Sequence, residues 1–200
     1  MAQRKIVTRD QILDVAYQMA REGGLGALGT RDLASRCGMA VGTLYNHYPD
    51  KAELVCDVIG RFWSSALRQT GLLDRPEPGA GPIGTVEYCR RLADGLSQAV
   101  ASFRDGWLAE ISSLDPRPRG RTRTAQRECF STIVGRIAQV VRQDPLVRPE
   151  ARDALSPDDL ARVVWDAIYG ELSDPDGSCD TPLDMLSLAL YWKVRAGEMC

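Results

Sequence analysis

The chain has 200 residues, 44 % of them apolar, and its 25 Lys and Arg stand against 27 Asp and Glu for a net charge of −2. That is enough chain for one sizeable core or two small ones, and the charge excludes a protein that coats nucleic acid by electrostatics alone. No apolar run approaches the roughly 20 residues of a membrane span; with no leader at the start, six scattered cysteines without a CxxC pair read as reduced thiols in a cytoplasmic protein, and one histidine leaves neither metal site nor cofactor to expect.

The first helix is predicted over residues 8–21, with Thr8 as its cap and Gln11 three residues on completing a capping box. Its buried stripe is Ile12, Val15, Ala16, Met19 and Ala20, and Gly23, Gly24 and Gly26 break it. Arg4 and Lys5 in the preceding arm either reach a phosphate or stay solvated. Thr30 has the profile of the next cap, Asp32 suits the positive end of that helix, and Leu33, Ala34 and Cys37 form a short apolar face. Gly38 ends it, because glycine takes the left-handed conformation without steric cost, and Met39 plugs the corner. A third helix follows over residues 41–48, with Leu44 and Tyr48 on one face, and Pro49 stops it. Asp50 caps the fourth helix, with Glu53 at the capping-box spacing.

Two short helices meeting at a tight turn form the geometry that pushes the second helix into a DNA groove. The open side of that helix carries Val41, Gly42, Thr43, Tyr45, Asn46 and His47. Thr, Tyr, Asn and His reach phosphate oxygens or base edges, Val41 suits a thymine methyl, and Gly42 allows close backbone approach. Residues 1–48 hold six bases (Arg4, Lys5, Arg9, Arg21, Arg31, Arg36) and four acids (Asp10, Asp14, Glu22, Asp32), a net +2 that leaves −4 for the remainder.

The body reads as further helices. The fourth, over 51–70, carries Leu54, Val55, Val58, Ile59, Phe62, Trp63 and Leu67, and a Pro/Gly loop over 71–84 ends it. The fifth, over 85–103, buries Leu92, Leu96, Ala99, Val100 and Phe103; a short sixth holds Trp107, Leu108 and Ile111, and the arginine-rich PRPRGRTR after it reads as a solvated loop or a second phosphate contact, the first favoured. The seventh, over 122–143, shows Phe130, Ile133, Val134, Ile137, Val140 and Val141 at helical spacing. Ser156-Pro157-Asp158-Asp159 and Thr181-Pro182-Leu183-Asp184 open the last two helices, about 156–173 and 181–197. Both are apolar around most of their circumference (Leu160, Val163, Val164, Trp165, Ile168, Tyr169, Leu172; then Leu183, Met185, Leu186, Leu188, Leu190, Trp192, Val194). Helices apolar on several sides are buried on several sides, so these two are expected to build a four-helix bundle in a two-fold homodimer. The fold class is all-α with about nine helices.

TRDLASRCG, GTLYNHY and the lysine and glutamate of PDKAEL resemble the DNA-binding domain of the tetracycline-repressor (TetR) family of transcriptional regulators. The resemblance implies a DNA-binding domain over residues 1–50 and a ligand-binding and dimerisation domain over 51–200. Carried over by position, it implies backbone contacts from Thr43, Tyr45 and His47, base proximity for Val41, Gly42 and Asn46, phosphate or groove-edge contacts from Thr30 and Arg31, and a phosphate held by Lys51. One departure is Ala40, where the family usually has a serine or threonine cap; a missing cap costs about 1 kcal/mol. The resemblance also implies a small-molecule pocket in the body, for which Trp63, Phe103, Trp107, Phe130, Trp165 and Tyr169 are the apolar candidates and Tyr88, Arg104 and Glu110 the polar ones; each also reads as plain core packing. The function so implied is a repressor released from a palindromic double-stranded DNA operator by a small apolar or aromatic effector.

A second reading stays open, a helical dimer that acts through protein partners with weak or no specific DNA binding; Ala40 and the modest basic charge leave it room. An enzyme is not expected, because no acid–base pair, nucleophile–base pair or phosphate loop is visible.

Overall fold

The computed structural model describes residues 7–72, 83–103, 105–113, 121–174 and 176–191, without the side chains of 112–113 and 121–129. Arg4, Lys5, Arg104, Trp192, Val194 and the side chains of the arginine-rich loop lie outside the described residues. Among those described, the chain is all-helical: α1 Arg9–Gly23, α2 Thr30–Arg36, α3 Val41–His47, α4 Lys51–Gln69, α5 Thr85–Ala101, α6 Trp107–Ser113, α7 Arg121–Gln143, α8 Pro149–Ala154, α9 Pro157–Ser173 and α10 Asp180–Tyr191, with a 3-10 turn at Leu25–Ala27. The helix beyond the nine expected is α8, a six-residue helix opened by Pro149 at its first turn and too short to show a period. No described helix is long and apolar enough to cross a membrane.

The chain packs as two compact units, residues 1–66 with 98–129 and residues 67–97 with 130–200. This is a partition by packing, a different division from the functional one expected near residue 50. In the first unit, Thr8 and Gln11 close the expected capping box: the Gln11 N–H donates to Thr8 Oγ1 at 3.3 Å and the Thr8 N–H to Gln11 Oε1 at 3.0 Å. Ile12, Ala16, Leu28, Leu33, Leu44, Leu54, Val58 and Phe62 are buried together in its core. A ring cluster lies in the same unit: Phe62 meets Phe103 edge-on at 4.9 Å and Trp107 at 5.5 Å, while Phe103 stacks on Trp107 at 4.5 Å.

In the second unit Leu92, Leu96, Ile133, Ile137, Ala161, Trp165, Ile168, Leu183 and Leu190 form the core. Asp144 and Thr85 are its buried polar residues, and they are paired with each other. Asp144 Oδ2 accepts the Thr85 N–H at 2.7 Å, the Thr85 hydroxyl at 2.9 Å and the Tyr191 hydroxyl at 2.6 Å, while Oδ1 accepts the Leu146 N–H at 2.9 Å. One carboxylate therefore ties the end of α7 to the start of α5, where a negative charge suits the helix dipole, and to the end of α10. Ser156 caps α9 through the Asp159 N–H at 3.4 Å. The start of α10 differs from expectation. Leu183 N–H already bonds the Cys179 carbonyl at 3.1 Å, so Thr181 lies inside the first turn rather than capping it, with Pro182 in that turn as expected. Proline is tolerated there because the first N–H groups of a helix have no internal partner. Helices α9 and α10 pack on each other, with Leu183, Leu186 and Leu190 inward and Val163, Met185 and Leu188 left 66 %, 66 % and 53 % exposed.

Candidate nucleic-acid interface

The corner between α2 and α3 is built as the residues dictate. Gly38 has φ +65°, the left-handed region. Its N–H bonds the Ser35 carbonyl at 3.0 Å, and the Met39 N–H bonds the Ala34 carbonyl at 3.0 Å. These are the two bonds of a Schellman end, which reverses the chain in two residues. The cap of α2 is not Thr30. Leu33 N–H bonds the Gly29 carbonyl at 2.9 Å, so Gly29 is the cap and Thr30 the first helical residue. Asp32 packs beside Gly29, its carboxyl oxygen 3.1 Å from where a Cβ would stand.

Helix α3 is seven residues long and has no side-chain cap at Ala40, whose backbone is extended at φ −72° and ψ 146°. Leu44 and Tyr48 are buried and anchor it. The opposite side presents Tyr45 at 47 % exposure, with exposed Gly42 and Asn46 and half-buried Val41, Thr43 and His47. A Cβ at Gly42 would meet nothing within 4 Å, so this side of the helix is open space. Arg31 and Lys51 are exposed in the first turns of α2 and α4, and Thr30 is half-buried. Asp50 caps α4 as expected, accepting the Glu53 N–H at 2.8 Å.

Sequence reasoning missed the residue that ties these pieces together. Arg9, in the first turn of α1, donates through Nη2 to Glu53 and Asp57 at 2.8 Å each and through Nη1 to the His47 carbonyl at 3.1 Å. Its guanidinium also lies 4.3 Å from the centre of the Tyr48 ring. The Tyr48 hydroxyl donates to the same Asp57 oxygen at 3.2 Å. Hydrogen bonds to Asp57 and then Glu53 raise the Arg9 pKa further, and burial with the Asp57 charge pushes the Tyr48 hydroxyl up to about 12. A signal for this existed in the sequence. A cation in a helix's first turn opposes the dipole, and Glu53 and Asp57 stand four apart on one face of α4.

The nine candidate ligand residues fall into separate groups. Trp63, Phe103 and Trp107 belong to the ring cluster of the first unit. Phe130, Trp165 and Tyr169 pack on one another in the second, with centroids 4.9 to 5.9 Å apart. Tyr88 is buried on α5, and Arg104 lies outside the described residues. The Trp107 indole N–H is buried without a hydrogen-bond acceptor. Glu110 accepts the Leu25 N–H at 2.8 Å, so its carboxylate holds the turn after α1. Nearby, Arg21 donates to the Ser102 carbonyl at 3.3 Å and Tyr17 meets Phe103 edge-on at 5.2 Å.

Residues 12–58 match the family model of bacterial regulatory proteins, tetR family. Over 81 residues the chain is 41 % identical to the HTH-type transcriptional repressor KstR of Mycobacterium tuberculosis, covering 40 % of this chain and 36 % of that protein. The chain thus spans well under half the length of that curated relative. Two solved structures share the fold along nearly the whole length. BioQ with its double-stranded DNA operator gives a TM-score of 0.62 at 19 % identity, covering 90 % of this chain and 96 % of that one. AibR in complex with isovaleryl coenzyme A and operator DNA gives 0.56 at 19 % identity, covering 92 % and 97 %.

Proposed function

We propose, from the match of residues 12–58 to the model of the tetR family of bacterial regulatory proteins, that the chain is a DNA-binding transcriptional repressor of that family in the cytoplasm, released from a palindromic operator by a small apolar or aromatic effector. One observation carries the reading: the outer side of α3 is an open surface of hydrogen-bonding groups on a helix anchored by buried Leu44 and Tyr48. Thr43, Tyr45 and His47 take phosphate oxygens, Val41, Gly42 and Asn46 lie nearest the bases, and Thr30, Arg31 and Lys51 flank them from the starts of α2 and α4. Such contacts fix position through the backbone and read sequence through base edges. KstR is named a repressor and BioQ was solved on its operator, which supports the same role here.

The exposed apolar residues Val163, Met185 and Leu188 support a homodimer through α9 and α10. A two-fold dimer presents two copies of α3 and suits half-sites about one helical turn, roughly 34 Å, apart or a multiple of it. On this reading residues 1–50 bind DNA and residues 51–200 bind effector and partner subunit. For the effector, Trp63, Phe103 and Trp107 offer an apolar wall in the first unit, with the Trp107 N–H as a donor awaiting an acceptor; Phe130, Trp165 and Tyr169 offer another in the second. Effector binding releases DNA when it favours the arrangement of heads that does not fit the operator. The test is footprinting of the purified protein on the DNA upstream of its own gene. A single protected pseudo-palindrome supports the reading; protection of no discrete site there or in a genomic fragment library refutes it.

A further inference from the structure

We propose that Arg9 is a positioning residue for DNA reading: its guanidinium sets the angle of α3 on the head without touching DNA itself. The inference rests on the function proposed above and deepens it. Helix α3 has seven residues and no capping side chain, so within the helix itself buried Leu44 is what fixes its direction. Its N-terminal end is joined to α2 by the Gly38 corner, and its C-terminal end is followed, after Tyr48, by Pro49. At that second end a single side chain gathers three elements. Nη1 of Arg9 holds the carbonyl of His47, the last residue of α3. Nη2 bridges Glu53 and Asp57 on the first two turns of α4, and Nε reaches Asp57 again at 3.3 Å. The flat face of the guanidinium covers the buried Tyr48 ring, whose hydroxyl closes the circuit on Asp57.

The arrangement uses what distinguishes arginine from lysine, a planar fork with several donors in fixed directions and a face that stacks on an aromatic ring. The positive charge lies at the C-terminal end of α3, where helix carbonyls favour a cation. His47, whose carbonyl is held, is itself among the residues assigned to the DNA backbone, so a rotation at this end displaces the contact face directly. Because the guanidinium is engaged by two carboxylates, it is a poor phosphate ligand. It therefore acts on sequence reading rather than on general attraction to DNA.

The experiment uses full-length protein and a duplex enriched by the wild-type protein from a random pool, compared with a scrambled duplex, across a salt series. Arg9→Gln and Arg9→Lys are measured at a temperature where circular dichroism reports the native helix content. The expected result is a loss of about tenfold in affinity for the enriched duplex, the scale of losing charged hydrogen bonds. Affinity for the scrambled duplex and the salt slope stay at wild-type values, and Lys fails to restore the ratio. Glu53→Gln, which thins the same clamp, gives a smaller loss of the same kind and serves if Arg9→Gln does not fold. A merely structural role would lower the melting temperature and leave the ratio of the two affinities alone, which would overturn the proposal. Equal loss on both duplexes with a slope shallower by about 0.9 per Arg9 removed, or full rescue by Lys, would make Arg9 a phosphate contact and overturn it too. If the wild-type protein enriches no duplex, the DNA-reading function fails, and the proposal with it; a wild-type protein that discriminates beside an Arg9→Gln that discriminates equally removes the proposal alone.

Discussion

If α9 and α10 form the proposed homodimer, Met185→Glu should dissolve it while leaving the protomer folded. Met185 stands on α10 with 66 % of its surface exposed, one turn from Leu188 and on the side away from Leu183, Leu186 and Leu190. Complete burial of such a side chain stabilises by about 1.5–3 kcal/mol, so covering two thirds of it contributes about 1–2 kcal/mol. A two-fold axis repeats every contact, which makes the share of Met185 about 2–4 kcal/mol of the association. Its loss alone weakens dimerisation by roughly 30- to 700-fold. The buried carboxylate of the new glutamate costs more on top. Sedimentation equilibrium across a concentration series measures the change, with circular dichroism and the melting curve of the dilute protein as checks that the protomer is intact. A variant that associates as tightly as the wild type refutes the reasoning, as does a wild-type protein that is monomeric at tens of micromolar.

Three further perturbations separate folding from DNA contact. Gly42→Ala meets open space in the free protein and should raise stability by about 0.5–1 kcal/mol through helix propensity. On the proposed interface the same methyl would hold α3 away from the groove, so binding to an enriched duplex should weaken; urea melts and anisotropy must move in opposite directions. Ala40→Ser supplies the missing cap to α3 at an exposed, extended position and should add about 0.5–1 kcal/mol, read as slower hydrogen exchange at the Gly42 and Thr43 amides. Asp144→Asn should cost about 2–3 kcal/mol, since three donors converge on one carboxylate oxygen. Burial alone would raise the Asp144 pKa, but hydrogen bonds from Tyr191, Thr85 and Leu146 outweigh it and hold the pKa below the ordinary value. A depressed folded pKa means that the stabilisation is complete above the unfolded value, about 3.9, and disappears as pH falls through the folded one. The gap between wild type and Asp144→Asn should therefore be full at pH 6 and shrink below about pH 4; a gap that does not change with pH would count against the charged network.

What the sequence disclosed best was local. A capping box needs residues three apart, a Schellman end needs a glycine after the last turn, and Pro49 and Asp50 punctuate by their own chemistry, so Thr8, Gln11, Gly38 and Asp50 could be placed from spacing alone. The errors came where two local choices were nearly equal. Thr30 and Gly29 both satisfy a helix start, as do Cys179 and Thr181, and the backbone bonds of Leu33 and Leu183 decided them. The Arg9 clamp was missed for a different reason: its partners Glu53 and Asp57 lie 44 and 48 residues away, and the out-of-place cation on the first turn does not by itself say which carboxylates it meets. The ring candidates were legible as bulky and apolar, but periodicity cannot tell which ring meets which. Phe62, read only as a core residue of its helix, proved to join Phe103 and Trp107.

The central claim is that paired α3 helices hold DNA through phosphate contacts and read it through base edges. The most direct test is the salt dependence of affinity for an enriched palindrome and for a scrambled duplex of the same length. If Arg31 and Lys51 on each head of the proposed dimer together neutralise about four phosphates, the log–log slope is near −3.6. Affinity for the palindrome should then fall by roughly a hundredfold between 50 and 200 mM salt, while staying above that for the scrambled duplex throughout. Binding that ignores salt, or that is equal on the two duplexes at every salt concentration, would contradict the account.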